Sequence, residues 1–219
     1  SFAEDKMEQA EADKKDAEVQ KQKLRAKMLY LRARDYAGKV LLPRLDVENL
    51  SQLTEPQFKE KLAKLDKDDI AAVFWYAFAW GSAINVDRED TEGLSDLPKI
   101  ELMMAQVKAW DEAYYFAGAW LFEGVYFGAR NEMMGGNPSR SKASFEKNLE
   151  LTQGKMLITQ YFYARTYCIF AQDKSCFDKN LQVVLDAPAD IHPGQKLANA
   201  LAKKKAERLK KRKADFFLD

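Results

Sequence analysis

Three segments rich in aromatic and aliphatic residues recur at equal intervals along the chain. They open at Ile70, Ala113 and Met156, so each start lies 43 residues after the last. A short loop and a more polar helical segment follow each of them. Such a period is typical of stacked αα-hairpins, because one hairpin cannot bury its apolar face alone and must pack on the next. The pattern predicts an all-α protein of stacked antiparallel αα-hairpins.

The sequence predicts one long N-terminal helix over residues 4–42, polar in its first part and more apolar in its second. The stretch 4–23 is almost entirely charged residues, Gln and Ala, and is expected to project from the protein. Apolar positions become frequent from Leu24 onwards, and Pro43 is expected to end the helix. The sequence therefore predicts a polar helical extension over residues 1–23 and a helical repeat domain over residues 24–219.

The remaining elements are delimited by turn and capping residues. Pro98 and Pro138 suit the first turn of a helix, and Gly135-Gly136 is expected to stop the preceding helix, with Asn137 as the cap of the next. The segment 70–86 is apolar on all sides, which predicts burial between neighbouring helices. Its length falls short of the roughly 20 residues that span a bilayer. No segment predicts a strand.

Composition argues against most catalytic and metal sites. Of the 219 residues, 47% are hydrophobic and 32% charged, which suits a folded chain. The net charge of +1 gives no overall attraction to nucleic acid or to an anionic membrane. His192 is the only histidine, so neither a His-based triad nor a multi-histidine metal site can be built. Acidic pairs lie in polar loops, so we predict no enzyme, metal or cofactor.

The final predicted helix is strongly basic. It carries eight Lys and Arg residues between Lys203 and Lys213. Such a run can bind an acidic partner or nucleic acid, but it more often forms a solvated face near a helix C-terminus. Because the overall charge is balanced, we favour the solvated face and predict no nucleic-acid partner.

Aromatic residues concentrate on the first helix of each predicted hairpin. In an αα-stack these helices line the inner surface. One interpretation is ordinary core packing. The other is a groove or channel for a small apolar ligand. The candidate lining residues are Trp75, Phe78, Trp80, Tyr115, Trp120, Phe122, Tyr126, Tyr161 and Tyr163.

Several short motifs, in order, resemble a transporter-associated family. The tetratricopeptide (TPR) consensus is met loosely: Gly81, Gly124 and Phe145 fall near its small and aromatic positions, but its usual period is about 34 residues. The chain is more similar to the TatT family, the T components found with some tripartite ATP-independent periplasmic (TRAP) transporters. That resemblance covers residues 24–219 and is carried by Leu31-Arg32-Ala33-Arg34-Asp35-Tyr36-Ala37, Trp80-Gly81, Asp96-Leu97-Pro98, Gly135-Gly136, Ala143-Ser144-Phe145-Glu146-Lys147, Gly154-Lys155, Tyr163-Ala164, Phe177, Leu197-Ala198-Asn199 and Asp215-Phe216-Phe217.

This resemblance implies a location and a set of partners. It implies a helical, TPR-like periplasmic lipoprotein that docks the solute-binding P component, forms a homo-oligomer and holds a small apolar ligand in a channel lined by the stack. The lipid-bearing cysteine would lie upstream of Ser1, which is expected to follow a removed export segment, so the membrane would be reached only through that anchor. An oxidising periplasm would favour a disulfide between Cys168 and Cys176, whose placement across a turn permits but does not require one.

Two other functions fit the same pattern. A free-standing carrier of a small apolar molecule requires a continuous cavity that reaches solvent. A TPR-like scaffold that binds peptides requires an open concave face with polar anchors such as Asn85 or Asn131.

The polar extension, the two cysteines and the lysine-rich final helix depart from the TatT pattern.

Overall fold

The computed structural model describes residues 2–87, 89–188 and 190–217, without the side chains of Phe2 and Met134. Within these ranges the chain forms α-helices, short 3-10 turns and a π-helical turn, with no strand. The all-α prediction is confirmed. Contacts divide the chain into two compact units, unit 1 (Ser1–Glu112) and unit 2 (Ala113–Asp219).

The helices follow the predicted spacing. Unit 1 contains α1 (Phe2–Ala12), α2 (Asp16–Leu45), α3 (Glu55–Leu62), α4 (Ile70–Val86), α5 (Thr91–Ser95) and α6 (Leu97–Trp110). Unit 2 contains α7 (Tyr114–Gly128), α8 (Pro138–Leu151), α9 (Leu157–Tyr163), α10 (Lys174–Asp186) and α11 (Lys196–Lys211). The π-helical turn Ala164–Cys168 extends α9. The leading helices α4, α7 and α9 begin within one residue of the predicted starts.

The prediction of one continuous helix over residues 4–42 is wrong, because this segment forms two helices, α1 and α2. Lys14 has a left-handed backbone with a φ of 56°, which separates α1 from α2. α1 then packs on α2, so the expectation that residues 4–23 project from the protein is wrong for α1. Ala3 and Met7 lie one helical turn apart on α1, so both side chains face α2. The residues buried together there are Ala3, Met7, Ala26 and Val86.

The C-terminal end of α2 lies two residues beyond the predicted stop at Pro43. Proline lacks the N–H that would bond to the preceding turn, yet the helix continues to Leu45. Asp46, with a φ of 51°, ends it by donating its N–H to the Leu42 and Pro43 carbonyls. Next to this end, the Arg44 guanidinium pairs with the buried Asp69 carboxylate at the start of α4, at 3.1 Å. That ion pair ties the two helix ends together.

α4 is the central helix of unit 1. It packs against α2 and α6, and most of its side chains are buried, as its uniformly apolar sequence predicts. The approach of α2 is close at Gly38, where an added Cβ would lie 3.2 Å from Cε2 of Tyr76. Among the described residues, no helix combines the length and apolar character needed to cross a bilayer.

Unit 2 surrounds a core contributed by α8, α9, α10 and α11. Its buried members include Phe145, Leu157, Phe177, Leu181, Val184, Ala202 and Ala206. The boundary before α8 forms as predicted: Asn137 Oδ1 accepts the Arg140 N–H at 2.9 Å, and Pro138 is the first helical residue. The glycine-containing segment before it is therefore a helix boundary.

The basic helix α11 is partly anchored by its own cations. Its apolar stripe, which includes Ala202 and Ala206, joins the core of unit 2. Lys203 donates to the Leu185 carbonyl at 2.6 Å, and just beyond the helix Lys213 pairs with Asp178 at 2.6 Å. Part of the basic run therefore holds the C-terminal segment against α10.

Candidate functional site

The predicted lining residues of α4 lie on two faces. The Trp75 and Phe78 ring centroids are 5.8 Å apart, and both rings contact Phe74. Trp75 is 37% exposed, so this face reaches the surface. Trp80 instead packs edge-to-face on Tyr76 at 5.5 Å and is 3% exposed. α4 thus brings Trp75 and Phe78 together and places Trp80 in the packed interior.

Two residues of α7 and one just beyond its end form a continuous row, which we call the α7 strip: Phe122, Tyr126 and Arg130. Phe122 and Tyr126 are four residues apart and share one face of α7, and Arg130 follows two residues after the end of the helix. The Phe122 and Tyr126 rings stack with centroids 5.6 Å apart, and the Arg130 guanidinium carbon lies 3.6 Å from the Tyr126 ring centroid. The strip therefore offers half-buried ring surface that ends in a cation.

Arg130 was missed by the sequence analysis, which considered aromatic residues alone. Its Nε donates to the Tyr126 carbonyl at 3.0 Å. Its Nη2 is buried and makes no hydrogen bond within the described part of the chain. A buried N–H without a partner is uncommon in folded proteins, and a ligand acceptor would satisfy it. The four-residue spacing from Tyr126 was the available signal.

The start of α7 is unusual in its backbone. Tyr115, Phe116 and Ala117 have φ values of 44°, 60° and 53°, so the first turn is left-handed. Tyr115, a predicted lining residue, is 44% exposed there and contacts Phe116. Trp120 is half-buried and, two residues before Phe122, projects to the other side of α7. Neither belongs to the α7 strip.

The two remaining candidates lie in the core of unit 2. Tyr163 stacks on Phe145 with centroids 4.9 Å apart, and burial raises the pKa of its hydroxyl. Tyr161 is 2% exposed, and its hydroxyl oxygen accepts an Arg165 N–H at 3.0 Å. Both rings are packed among neighbouring side chains, so they support the helices around the α7 strip.

Cys168 and Cys176 form a disulfide in the structure, with Cα atoms 5.5 Å apart. The bond joins the π-helical turn after α9 to the first turn of α10. Asp173 caps α10 beside it by accepting the Cys176 N–H at 2.8 Å. The cross-link therefore closes the α9–α10 hairpin at its loop.

Ion pairs connect α2 with the loop after α4. Lys27 donates to Asp87 at 2.7 Å and to Asp90 at 3.0 Å. The Lys27 hydrogen bond is the main reason that the pKa of Asp87 lies below its ordinary value. Among residues 2–87, 89–188 and 190–217, no three His, Cys, Asp or Glu side chains are grouped to hold a metal ion.

Comparison with known proteins gives one family and one relative. The family described as TRAP transporter T-component matches residues 1–217 of this chain. A protein of Treponema pallidum (strain Nichols), described as an uncharacterized protein, is 26% identical over 200 residues. That alignment covers 89% of this chain and 61% of the relative, so the chain spans less than two thirds of the relative's length. The family match takes in both units and the segment 1–23.

Proposed function

Since this chain belongs to the TRAP transporter T-component family, we propose that it is a non-catalytic adaptor of a tripartite ATP-independent periplasmic uptake system. Its partner is the solute-binding protein of that transporter, the P component. The observation that carries this proposal is the extent of the family match, which runs from residue 1 to residue 217 and so includes both units.

The proposal includes a ligand surface. We place a small apolar molecule on the rings of the α7 strip in unit 2. Trp75 and Phe78 are a separate candidate ring surface within unit 1. Phe122 and Tyr126 are half-buried, so neighbouring side chains hold both rings in place and part of each ring surface stays accessible to a ligand. Arg130 would then donate its unused Nη2–H to an acidic or carbonyl oxygen of the ligand. The packed residues Trp80, Tyr161 and Tyr163 would act by positioning these helices.

We also propose a periplasmic location, a lipid anchor upstream of Ser1 and a homo-oligomeric state. A disulfide is stable in an oxidising compartment and is rare in a reducing one, so the Cys168–Cys176 bond is compatible with the periplasm. Oligomer formation can be measured by sedimentation velocity over a range of protein concentrations, and a monomer at all concentrations would contradict it.

The docking proposal is tested with purified proteins. The solute-binding protein of the TRAP transporter from the same organism would be immobilised, and binding of this protein would be measured by biolayer interferometry. We expect saturable binding in the micromolar range or tighter. A solute-binding protein from an unrelated uptake system is the control. Equal binding to both, or binding to neither, would contradict the adaptor role.

The ligand proposal is tested by native mass spectrometry of protein purified without detergent. We expect an added mass on the wild-type protein that is lost from a Phe122→Ala/Tyr126→Ala variant. Phe170→Ala is the matched control, because Phe170 is 42% exposed and lies outside the strip. Retention of the same added mass by the double variant would rule out the α7 strip as the ligand surface.

A further inference from the structure

The outer face of α2 carries an uncovered row of apolar side chains. Four large ones are more than half exposed: Leu24 at 60%, Met28 at 62%, Tyr36 at 56% and Val40 at 58%. Together with Arg32 they recur every four residues, and we call this row the α2 ridge. The side of α2 that faces α1 and α4 is occupied by other residues, including the buried Ala26 and Leu41. Apolar patches of this kind on a folded surface mark interaction sites.

The geometry of the α2 ridge suits another helix. Residues four apart overshoot one α-helical turn by about 40°, so the row turns around α2 by about 160° between Leu24 and Val40. A helix lying on a bilayer keeps its apolar residues in a band parallel to its axis, and a flat surface would meet only part of this row. Three successive residues of an i±4n row, such as Leu24, Met28 and Arg32, instead fit the groove of a helix that crosses at about −50°.

Cations frame the α2 ridge. Arg32 lies at its centre, donating to the Tyr36 hydroxyl oxygen at 3.3 Å, and the Lys39 ammonium lies 4.9 Å from the Tyr36 ring centroid. Arg25 is exposed beside the row. The nearest acid, Asp35, already pairs with Arg34 at 3.0 Å. A partner that covers this face therefore gains if it brings carboxylates.

A second copy related by a two-fold axis through this face does not meet that requirement. Arg32 is the middle residue of the ridge, and Met28 and Tyr36 lie four residues before and after it. A two-fold axis through this face would place Arg32 opposite its own equivalent. Like charges placed opposite each other in an interface are unfavourable, so a two-fold contact between copies centred on Arg32 is disfavoured.

We infer that the α2 ridge docks an acidic amphipathic helix of the transporter's solute-binding protein. This inference rests on the proposed function, which supplies the partner, and adds the surface and the chemistry of recognition. Apolar residues of the partner helix would pack between Leu24 and Met28. Its carboxylates would face Arg32 and the neighbouring cations.

The test compares variants of the ridge with matched variants elsewhere, using the purified solute-binding protein as the probe. Leu24→Glu and Arg32→Glu are expected to weaken binding by at least about tenfold, the effect typical of a central interface residue. Leu197→Glu and Lys179→Glu are the controls, since Leu197 is 67% exposed and Lys179 is exposed, both in unit 2. Arg32→Lys, which keeps the charge, should retain most of the affinity. Circular dichroism checks that each variant is folded.

Binding of the wild-type protein should also weaken as salt is raised from 50 to 500 mM, since charge attraction is screened. Unchanged binding by Leu24→Glu and Arg32→Glu would overturn the inference and leave the adaptor role intact. No binding by the wild-type protein would remove both.

Two further measurements separate the other occupants of this face. Flotation with phosphatidylglycerol vesicles tests a membrane, and sedimentation velocity tests a second copy. The inference predicts that neither vesicle binding nor self-association differs between wild type and Leu24→Glu. A loss of either in Leu24→Glu, with binding to the solute-binding protein retained, would reassign the α2 ridge to lipid or to self-association.

Discussion

The side-chain amide of Asn148 lies 2.9 Å from the carbonyl oxygen of Ala117 and holds the left-handed first turn of α7 in place. The same amide donates to the Phe116 carbonyl at 3.0 Å, and Asn148 Oδ1 accepts the Thr159 hydroxyl at 2.7 Å. Asn148 is fully buried. A left-handed conformation costs roughly 1–2 kcal/mol for each non-glycine residue, so these hydrogen bonds offset part of that cost.

We therefore expect Asn148→Ala to lower the free energy of unfolding by about 2–4 kcal/mol, because it leaves buried carbonyl and hydroxyl groups without partners. Urea denaturation followed by circular dichroism measures the change. Glu150→Ala, on the same helix with a side chain 70% exposed, should change stability by less than about 0.5 kcal/mol. Equal stability of Asn148→Ala and wild type would show that the turn does not depend on this residue.

A second prediction concerns the contact between α7 and α8. A Cβ on Gly124 would lie 2.9 Å from two carbons of the buried Phe145 ring. Alanine favours a helix over glycine by about 1 kcal/mol, but overpacking a core costs about 1–3 kcal/mol. We expect Gly124→Ala to be destabilising on balance.

The double variant Gly124→Ala/Phe145→Leu provides the control. It should lose less than the sum of the two single variants, because the smaller side chain makes room for the methyl group. Thermal or urea unfolding of all four proteins measures this coupling. Strict additivity would contradict a clash between the two positions.

The ion pairs between α2 and the loop after α4 predict a dependence of stability on pH. Hydrogen bonds from Lys27 and Lys23 lower the pKa of Asp87 below its ordinary value of 3.8. A carboxylate with a lowered folded-state pKa contributes stability above its unfolded pKa, and the contribution disappears as pH falls through the folded value. Stability should therefore decline below about pH 3.8, by no more than about 1 kcal/mol because the pair is partly exposed.

Lys27 predicts a loss of stability at alkaline pH. Its hydrogen bonds to Asp87 and Asp90 raise its pKa above 10.5, so its contribution is complete below pH 10.5 and is lost only as pH rises through the higher folded value. The difference in urea midpoint between wild type and Asp87→Asn, measured from pH 2 to pH 11, should narrow below pH 3.8 and above pH 10.5. Glu60→Gln, whose parent side chain is 73% exposed, is the control. A constant difference across the range would contradict the assignment.

A fourth prediction concerns the disulfide. Breaking the Cys168–Cys176 bond releases a loop with a sequence separation of 8 residues, for which the chain-entropy estimate is about 2.5 kcal/mol. Unfolding of wild type with and without dithiothreitol measures the effect. A Cys168→Ala/Cys176→Ser variant should match the reduced protein and be insensitive to the reductant. Sensitivity of that variant would point to another target of the reagent.

Helix positions and boundaries could be predicted from the sequence because they depend on local chemistry. The starts of α4, α7 and α9 follow the apolar period, and the start of α8 follows from Asn137 and Pro138, whose capping interactions join residues close in sequence. Cys168 and Cys176 were noted for the same reason, since their separation is short. The left-handed turn before α7 could not be predicted, because its partner Asn148 lies on the next helix.

The candidate site was predicted less well than the helices. Ring content made Phe122 and Tyr126 candidates, but could not separate them from Tyr161 and Tyr163, which are equally aromatic and lie in the core. Burial depends on which side of a helix meets its neighbours, and residue type does not contain that information. Arg130 joins the α7 strip only because its stem folds back over Tyr126.

The sequence by itself determined that this chain is helical, where most of its helices begin and which transporter family it resembles, because these follow from periodicity, capping and short motifs. Tertiary structure alone decided that α1 folds back on α2, and that Leu24, Met28, Tyr36 and Val40 point outward although an apolar helix face suggests burial. The reason is that one helix has several sides, and its neighbours, which are distant in sequence, cover only some of them.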